Sequence, residues 1–218
     1  MSKLHLVIGN KNYSSWSLRP WIALTMAGIP FTETVILLDQ PDTKAKIAEH
    51  SRAGRVPVLH HGKVAVWESL AILEYLAETY PEKNFWPKTK EARALARCVC
   101  SEMHGGFSAL RNSCPMNLRR SRKPVPLSDA TRSDIARIEE IWRECRQRFG
   151  KTGKFLFGKF SNADAMFAPV VSRFDTYDVS VGKDTRSYMA SILVSPAFRA
   201  WKEGALKETA IVPSDEVD

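Results

Sequence analysis

Hydrophobic periodicity divides this 218-residue chain in two, and the division constrains its fold more than any single motif. Up to residue 80, short runs with strand-like alternation interleave with helical patterns. "KLHLVIG" (3–9), "TETVILL" (32–38), "RVPVLHH" (55–61) and "KVAVWE" (63–68) read as strands. "LRPWIALTMAG" (18–28), "DTKAKIAEHSRAG" (42–54) and "SLAILEYLAETY" (69–80) read as helices, with stop signals at Gly28, Ile29-Pro30 and Pro81. The order is a βαβ unit, a helix, a hairpin turning at Gly62 and a last helix, a mixed α/β module. "PEKNFWPKTKE" (81–91), with two prolines and several charges, reads as a linker. Beyond it four segments read as helix: 92–113, 127–150, 162–177 and 184–206. Ile135, Ile138, Ile141, Trp142, Cys145 and Phe149 recur at three- and four-residue spacing, a stripe suited to a helical bundle. The expected organisation is an α/β domain over 1–80, a linker over 81–90 and an all-helical domain over 91–218.

The bulk properties narrow the function classes. No run of about 18 apolar residues occurs, so no membrane span is expected. The start, "MSKLHLVIGNKNYSS", has too short an apolar stretch for a secretory signal. Cys98, Cys100, Cys114 and Cys145 form no CxxC and have no histidine pair at zinc spacing, so neither a metal nor a dithiol redox centre is expected. A cytoplasmic, reducing environment fits. The net charge of +8 leaves room for a small anionic ligand. The densest basic run, "LRRSRKP" (118–124), lacks interleaved aromatics for base stacking and reads as a solvated face, so no nucleic-acid partner is expected.

Three short stretches carry chemistry. In "NYSSWSLRPW" (12–21), Pro20 is tolerated by a helix only in its first turn. That places the helix start at about 16–18 with Ser17 as N-cap, and Ser14 and Ser15 ahead of the helix's positive end. On local sequence alone, the three serines serve equally as caps and turn formers. In "RVPVL", Pro57 within a strand pattern argues for an edge strand. In "WES", Ser69 can cap the following helix. Alternatively, Ser69 and the helix end accept a carboxylate while Glu68 holds an ammonium.

Together, "SSWSLRPWIAL", "GRVPVL" and "WESLAILEYLAE", followed by a linker and helices, resemble the cytosolic glutathione transferase superfamily over nearly the whole chain. The serine cluster is similar to the serine-type branch, nearest to the zeta and related bacterial classes; Tyr13 stands too late for a tyrosine-type enzyme. The resemblance implies a thioredoxin-like amino-terminal domain and an all-helical carboxy-terminal one. It implies a cytoplasmic homodimer that uses glutathione as co-substrate. It carries cysteinyl recognition onto Val56 and a cis Pro57, γ-glutamyl recognition onto Glu68 and Ser69, and a folding role onto a capping box of Ser161 and Asp164. Zeta-type enzymes have a cysteine after the paired serines, where this chain has Trp16.

The implied role of Ser14 or Ser15 is a hydrogen bond to the glutathione sulfur, favouring the nucleophilic thiolate. A hydrogen bond to a charged group contributes roughly 1.5–3 kcal/mol and a helix amino end about 0.3–1 kcal/mol. Their sum lowers a thiol pKa by about 1.3–3 units before desolvation is counted. Family position favours Ser14 as the main donor, with Ser15 beside it. The expected activity is conjugation of small apolar electrophiles, placed by position against Met103, His104 and Phe107; core packing is the competing role for Met103 and Phe107. Alternatives are a glutathione-dependent cis–trans isomerase of the maleylacetoacetate type and a non-catalytic binding or regulatory protein of the same fold.

Overall fold

The computed structural model describes residues 3–217. Its sheet has the order β2-β1-β3-β4, with β1 (Leu4–Gly9), β2 (Phe31–Ile36), β3 (Val58–His61) and β4 (Val64–Trp67). β1 pairs parallel with β2 and antiparallel with β3, which pairs antiparallel with β4. Leu6, Val7 and Ile8 are fully buried, so β1 is covered on both faces as a central strand of a layered fold should be. Helices α1 (Ser15–Met26) and α3 (Ser69–Thr79) cover one face. The short α2 (Thr43–Ala48) covers the other, where Ile47 packs with Val7, Ile36 and Val58.

Some local expectations are moved by one turn. α1 begins at Ser15 with Ser14 in the N-cap position, and its first backbone bond runs from Leu18 N–H to the Ser14 carbonyl at 3.1 Å. Ser17 is therefore inside the first turn and not the cap. Pro20 lies in the second turn, where the bond it cannot donate to the Trp16 carbonyl is forgone. The helix ends as expected: Gly28 has φ +63°, and bonds from Gly28 N–H to Thr25 and from Ile29 N–H to Leu24 close the turn. Pro57 precedes β3, which is an inner strand, so the edge-strand expectation fails. No ladder donor is lost there, and the Val56–Pro57 bond is cis. Glu68, not Ser69, takes the N-cap position of α3, with φ +67°.

After a 3₁₀ turn at Pro81–Lys83, the remaining long elements are helices. They are α4 (Lys90–Gly105), α5 (Ser108–Ser113), α6 (Asp129–Phe149), α7 (Asn162–Thr176), α8 (Lys183–Leu193) and α9 (Pro196–Leu206). The first expected helix breaks into α4 and α5 because Gly106 is extended and Phe107 turns to φ +59°. The last breaks into α8 and α9 at Ser195, whose hydroxyl accepts from Phe198 N–H while Pro196 takes the first helical position. The apolar stripe of α6 is buried from Ile135 to Cys145, with Trp142 ringed by Phe167, Phe174 and Tyr188.

α7 joins the two halves. Its residues are almost all buried, and it packs on α1 and α4. Asn162 donates from its backbone to the Phe85 carbonyl and from its side chain to the Leu73 carbonyl. The helix starts on a capping box: Ser161 N–H and Oγ both donate to Asp164 Oδ2, at 2.8 and 3.0 Å, and Leu156 N–H donates to Oδ1 at 3.0 Å.

The basic run 118–124 is a solvated face only in its second half: residues 121–124 are exposed, whereas Arg119 and Arg120 are partly buried. Arg119 donates to the Tyr13 hydroxyl and to the carbonyls of Glu208 and Ala210. Arg120 donates to the Val217 carbonyl, and Arg122 pairs with Asp178. Arg119 and Arg120 fasten the carboxy-terminal segment over the loop that precedes α1, while Arg122 reaches the end of α7. Among the described residues all four cysteines are free, no three His, Cys, Asp or Glu side chains converge as a metal site would require, and no helix is long and apolar enough to cross a membrane.

Candidate active site

A cleft of about 730 Å³ opens between the amino-terminal end of α1, the β3–β4 hairpin and the helical half. Ser14, Ser15, Val56, Pro57, Glu68 and Ser69 all line it, brought together from three separate stretches of sequence. His104 lines it as well, but Met103 and Phe107 do not: both are buried in the hydrophobic core, the packing role that competed in sequence. α4 turns His104 toward the cleft and Met103, its neighbour, inward, and Phe107 lies past the end of α4 at the break before α5.

The floor of the cleft is built by α1. Ser14 and Ser15 are each 6% exposed. Ser14 Oγ donates to Ser17 Oγ at 2.7 Å, and Ser17 Oγ also accepts from Gly9 N–H at 3.1 Å, tying the first turn to the end of β1. Ser15 Oγ accepts from Arg173 Nη2 at 3.2 Å. Trp16 forms the next stretch of wall, edge-on to the His104 ring at 5.2 Å and under the Arg19 guanidinium at 4.1 Å. A cation over an indole face is held by the ring's quadrupole.

The wall opposite is Val56, Pro57, Glu68 and Ser69. Val56 is half-buried ahead of β3, leaving its backbone at the cleft. Glu68 points its carboxylate between His104 Nε2, at 3.4 Å, and Arg55 Nη1, at 4.0 Å. Ser69 is buried at the first position of α3, and its hydroxyl accepts from Arg19 Nη1 at 3.4 Å. The wall thus places a carboxylate beside a helix amino end, a complement for a ligand carrying both ammonium and carboxylate.

The basic groups were missed by sequence reasoning. Arg19 and Arg173 are buried, and neither makes an ion pair with a carboxylate among the described residues. Arg19 Nε and Nη2 and Arg173 Nη1 have no hydrogen-bond partner. Burial, with Arg173 and Arg111 nearby, pulls Arg19 down to about 9, and burial beside Arg111 pulls Arg173 down to about 10. Both remain cations at neutral pH. His104 is lowered by burial and by Arg19 and Arg111, against the pull of Glu68. Arg111, Pro115, Met116 and Asp215 also line the cleft. The available signal was an arginine that follows the apolar run "AMFAPVV" (165–171) in one helix, where a charge is rare without a purpose.

Known proteins place this arrangement. Residues 13–79 match the family model "Glutathione S-transferase, N-terminal domain" and residues 127–203 match "Glutathione S-transferase, C-terminal domain", together more than half of the chain. The maleylacetoacetate isomerase of Rattus norvegicus is 28% identical over 173 residues, 77% of each chain. A probable maleylacetoacetate isomerase of Caenorhabditis elegans is 34% identical over 99 residues, 45% of this chain and 46% of that one. Among solved structures, a glutathione transferase homolog from Burkholderia, crystallised with bound glutathione, superposes with a TM-score of 0.71 at 22% identity, covering 94% of this chain and 98% of the other. An unclassified glutathione S-transferase of Bombyx mori gives a TM-score of 0.72 at 18% identity, covering 94% of each. With a thioredoxin-like sheet half followed by a helical half, and both domain models matched in order over most of its length, the chain belongs to the glutathione S-transferase family.

Proposed function

We propose that the chain is a glutathione-dependent transferase, with residues 1–80 as the glutathione-binding domain and residues 91–218 supplying the face for the second substrate. The observation that carries this is the convergence of Ser14, Ser15, Val56, Pro57, Glu68 and Ser69 on one cleft. Glutathione's γ-glutamyl end lies against Glu68 and Ser69, where a carboxylate meets the ammonium and the start of α3 meets the carboxylate. The cysteinyl unit pairs with the backbone at Val56, beside cis Pro57. Its sulfur then reaches the α1 end, where a serine hydroxyl and the helix amino end favour the thiolate, the attacking species. Binding fixes that sulfur against a neighbouring electrophile, which converts a bimolecular encounter into a positioned one.

The second substrate lies against Trp16, His104, Arg111, Pro115 and Met116. That wall is more basic than the Met103, His104 and Phe107 surface expected from the sequence, and it suits a small electrophile with an apolar body and an anionic group. This supports a second reading, glutathione-dependent cis–trans isomerisation of an unsaturated acid, as the names of the rat and nematode relatives suggest. Trp16, where the zeta-type pattern has cysteine, speaks for conjugation. We place the protein in the cytoplasm as a homodimer. Turnover of a chlorinated nitroaromatic against turnover of a cis-dienoate, each with glutathione, decides between the two readings. Product formation from neither would refute both.

A further inference from the structure

We propose that Ser15, rather than Ser14, gives its hydroxyl hydrogen bond to the glutathione sulfur, and that Arg173 is the positioning residue that orients Ser15 and supplies the charge opposite the thiolate. The inference rests on the glutathione reading above and departs from the family position, which favours Ser14.

The two neighbouring hydroxyls are bonded in opposite senses. A serine hydroxyl has one proton to give and two lone pairs to accept with. Ser14 gives its proton to Ser17 Oγ at 2.7 Å, inside the first turn of α1. Ser15 is an acceptor: Arg173 Nη2 donates to it at 3.2 Å, and no hydrogen bond donated by Ser15 Oγ is formed among the described residues. A guanidinium has only donors, so the bond cannot run the other way. The Ser15 proton is therefore left for a ligand in the cleft that both residues line.

Arg173 is built for the task. It is 4% exposed on α7, and its Nε donates to the Cys114 carbonyl at 2.8 Å, which fixes the guanidinium plane. Nη2 holds Ser15, and Nη1 is buried with no partner in a residue that lines the cleft. A buried cation with no ion-pair contact is costly to a fold. The groups that face it are Arg111, also cationic, Asp215 at the cleft, and Cys114 and Tyr177 beside it. Burial pushes the Cys114 thiol up to about 11 and the Tyr177 hydroxyl upward, so both are neutral at physiological pH. Asp215 acts on Arg173 without forming an ion pair, and a thiolate at the cleft adds negative charge on the Ser15 side of the guanidinium. On binding, the glutathione thiol releases its proton to water. Ser15 keeps its own proton and shares it with the sulfur.

The test is the pH titration of bound glutathione, read by the ultraviolet absorbance of the thiolate. The bound thiol of the unaltered protein should titrate below the ordinary thiol value of about 8.5. Ser15→Ala and Arg173→Gln should each raise that pKa by about 1 unit or more. Arg173→Lys, which keeps the charge, should recover part of the shift, which a merely structural role would not do. Ser14→Ala should raise it by less than Ser15→Ala. A larger rise in Ser14→Ala, or an unshifted pKa in folded, glutathione-bound Arg173→Gln, overturns the proposal. If Arg173→Gln does not fold, the two serine variants decide it alone. Failure of the unaltered protein to bind glutathione refutes the parent reading. Binding with the thiol at its free value refutes only this one.

Discussion

Glu68 sits where fold and function pull against each other, and the conflict can be measured. Its backbone has φ +67° and ψ 124°, a conformation that a Cβ disfavours. The cost of a Cβ at positive φ is about 1–2 kcal/mol, and glycine removes it while returning roughly 0.5–1 kcal/mol as chain entropy. Glu68→Gly and Glu68→Ala both delete the carboxylate and its contacts with His104 and Arg55. Only glycine relaxes the backbone. Glycine should therefore be the more stable of the two by about 0.5–1 kcal/mol, or about 1–4 °C in a chain of this size. Both variants should lose the same affinity for glutathione. A charge-assisted hydrogen bond is worth about 1.5–3 kcal/mol; with the side chain 43% exposed the lower end applies, so Kd rises by about tenfold. Thermal unfolding and calorimetric titration of the pair give the two quantities separately. Alanine matching or exceeding glycine in stability refutes the strain argument. Undiminished affinity in both variants refutes the role given to the carboxylate.

Two further predictions concern the helical half. Asp164 is fully buried and desolvation raises its pKa to about 6, partly offset by its bonds from Leu156 and Ser161. The folded state then holds a proton the unfolded state has lost, so this group's contribution is fully present below about pH 4 and disappears as pH rises through about 6. Asp164→Asn should be less stable at pH 4, with the gap to the unaltered protein narrowing toward pH 7 in chemical denaturation; a gap that widens would contradict the assignment. Trp142 is fully buried among Phe167, Phe174 and Tyr188, and its Nε1 has no partner. Trp142→Ala should cost about 3–5 kcal/mol, whereas Trp142→Phe should cost much less, because it also removes an unpaired buried donor. Equal losses in the two variants would show that volume is not what that site requires.

Elements with their own local signature were legible in the sequence. The strand and helix order to residue 80, the stop at Gly28, the α6 stripe and the Ser161–Asp164 box all depend on neighbours within a few residues, and all are present in the structure. Helix starts and breaks were less legible where two local rules competed. Pro20 argued for a later start to α1, yet packing of α1 on α7 outweighs one lost backbone bond. The Gly105-Gly106 pair was subsumed in a helical pattern that it interrupts. The basic side of the cleft was legible only as an arginine in a largely apolar helix, with nothing to say where it points. Ser15 and Arg173 are 158 residues apart, and only the docking of α7 against α1 brings them within a hydrogen bond. Arg119 and Arg120 in the run at 118–124 were illegible likewise: their partners lie in the carboxy-terminal segment, which sequence spacing cannot locate.

The central claim is that the cleft between the α1 end, the β3–β4 hairpin and the helical half holds glutathione. Calorimetric titration of the full chain with glutathione tests it most directly. The account predicts saturable binding of one glutathione per chain, weakened by about tenfold in Glu68→Ala and weakened also in Ser69→Ala. Absence of binding at millimolar glutathione, or binding indifferent to both substitutions, would contradict it.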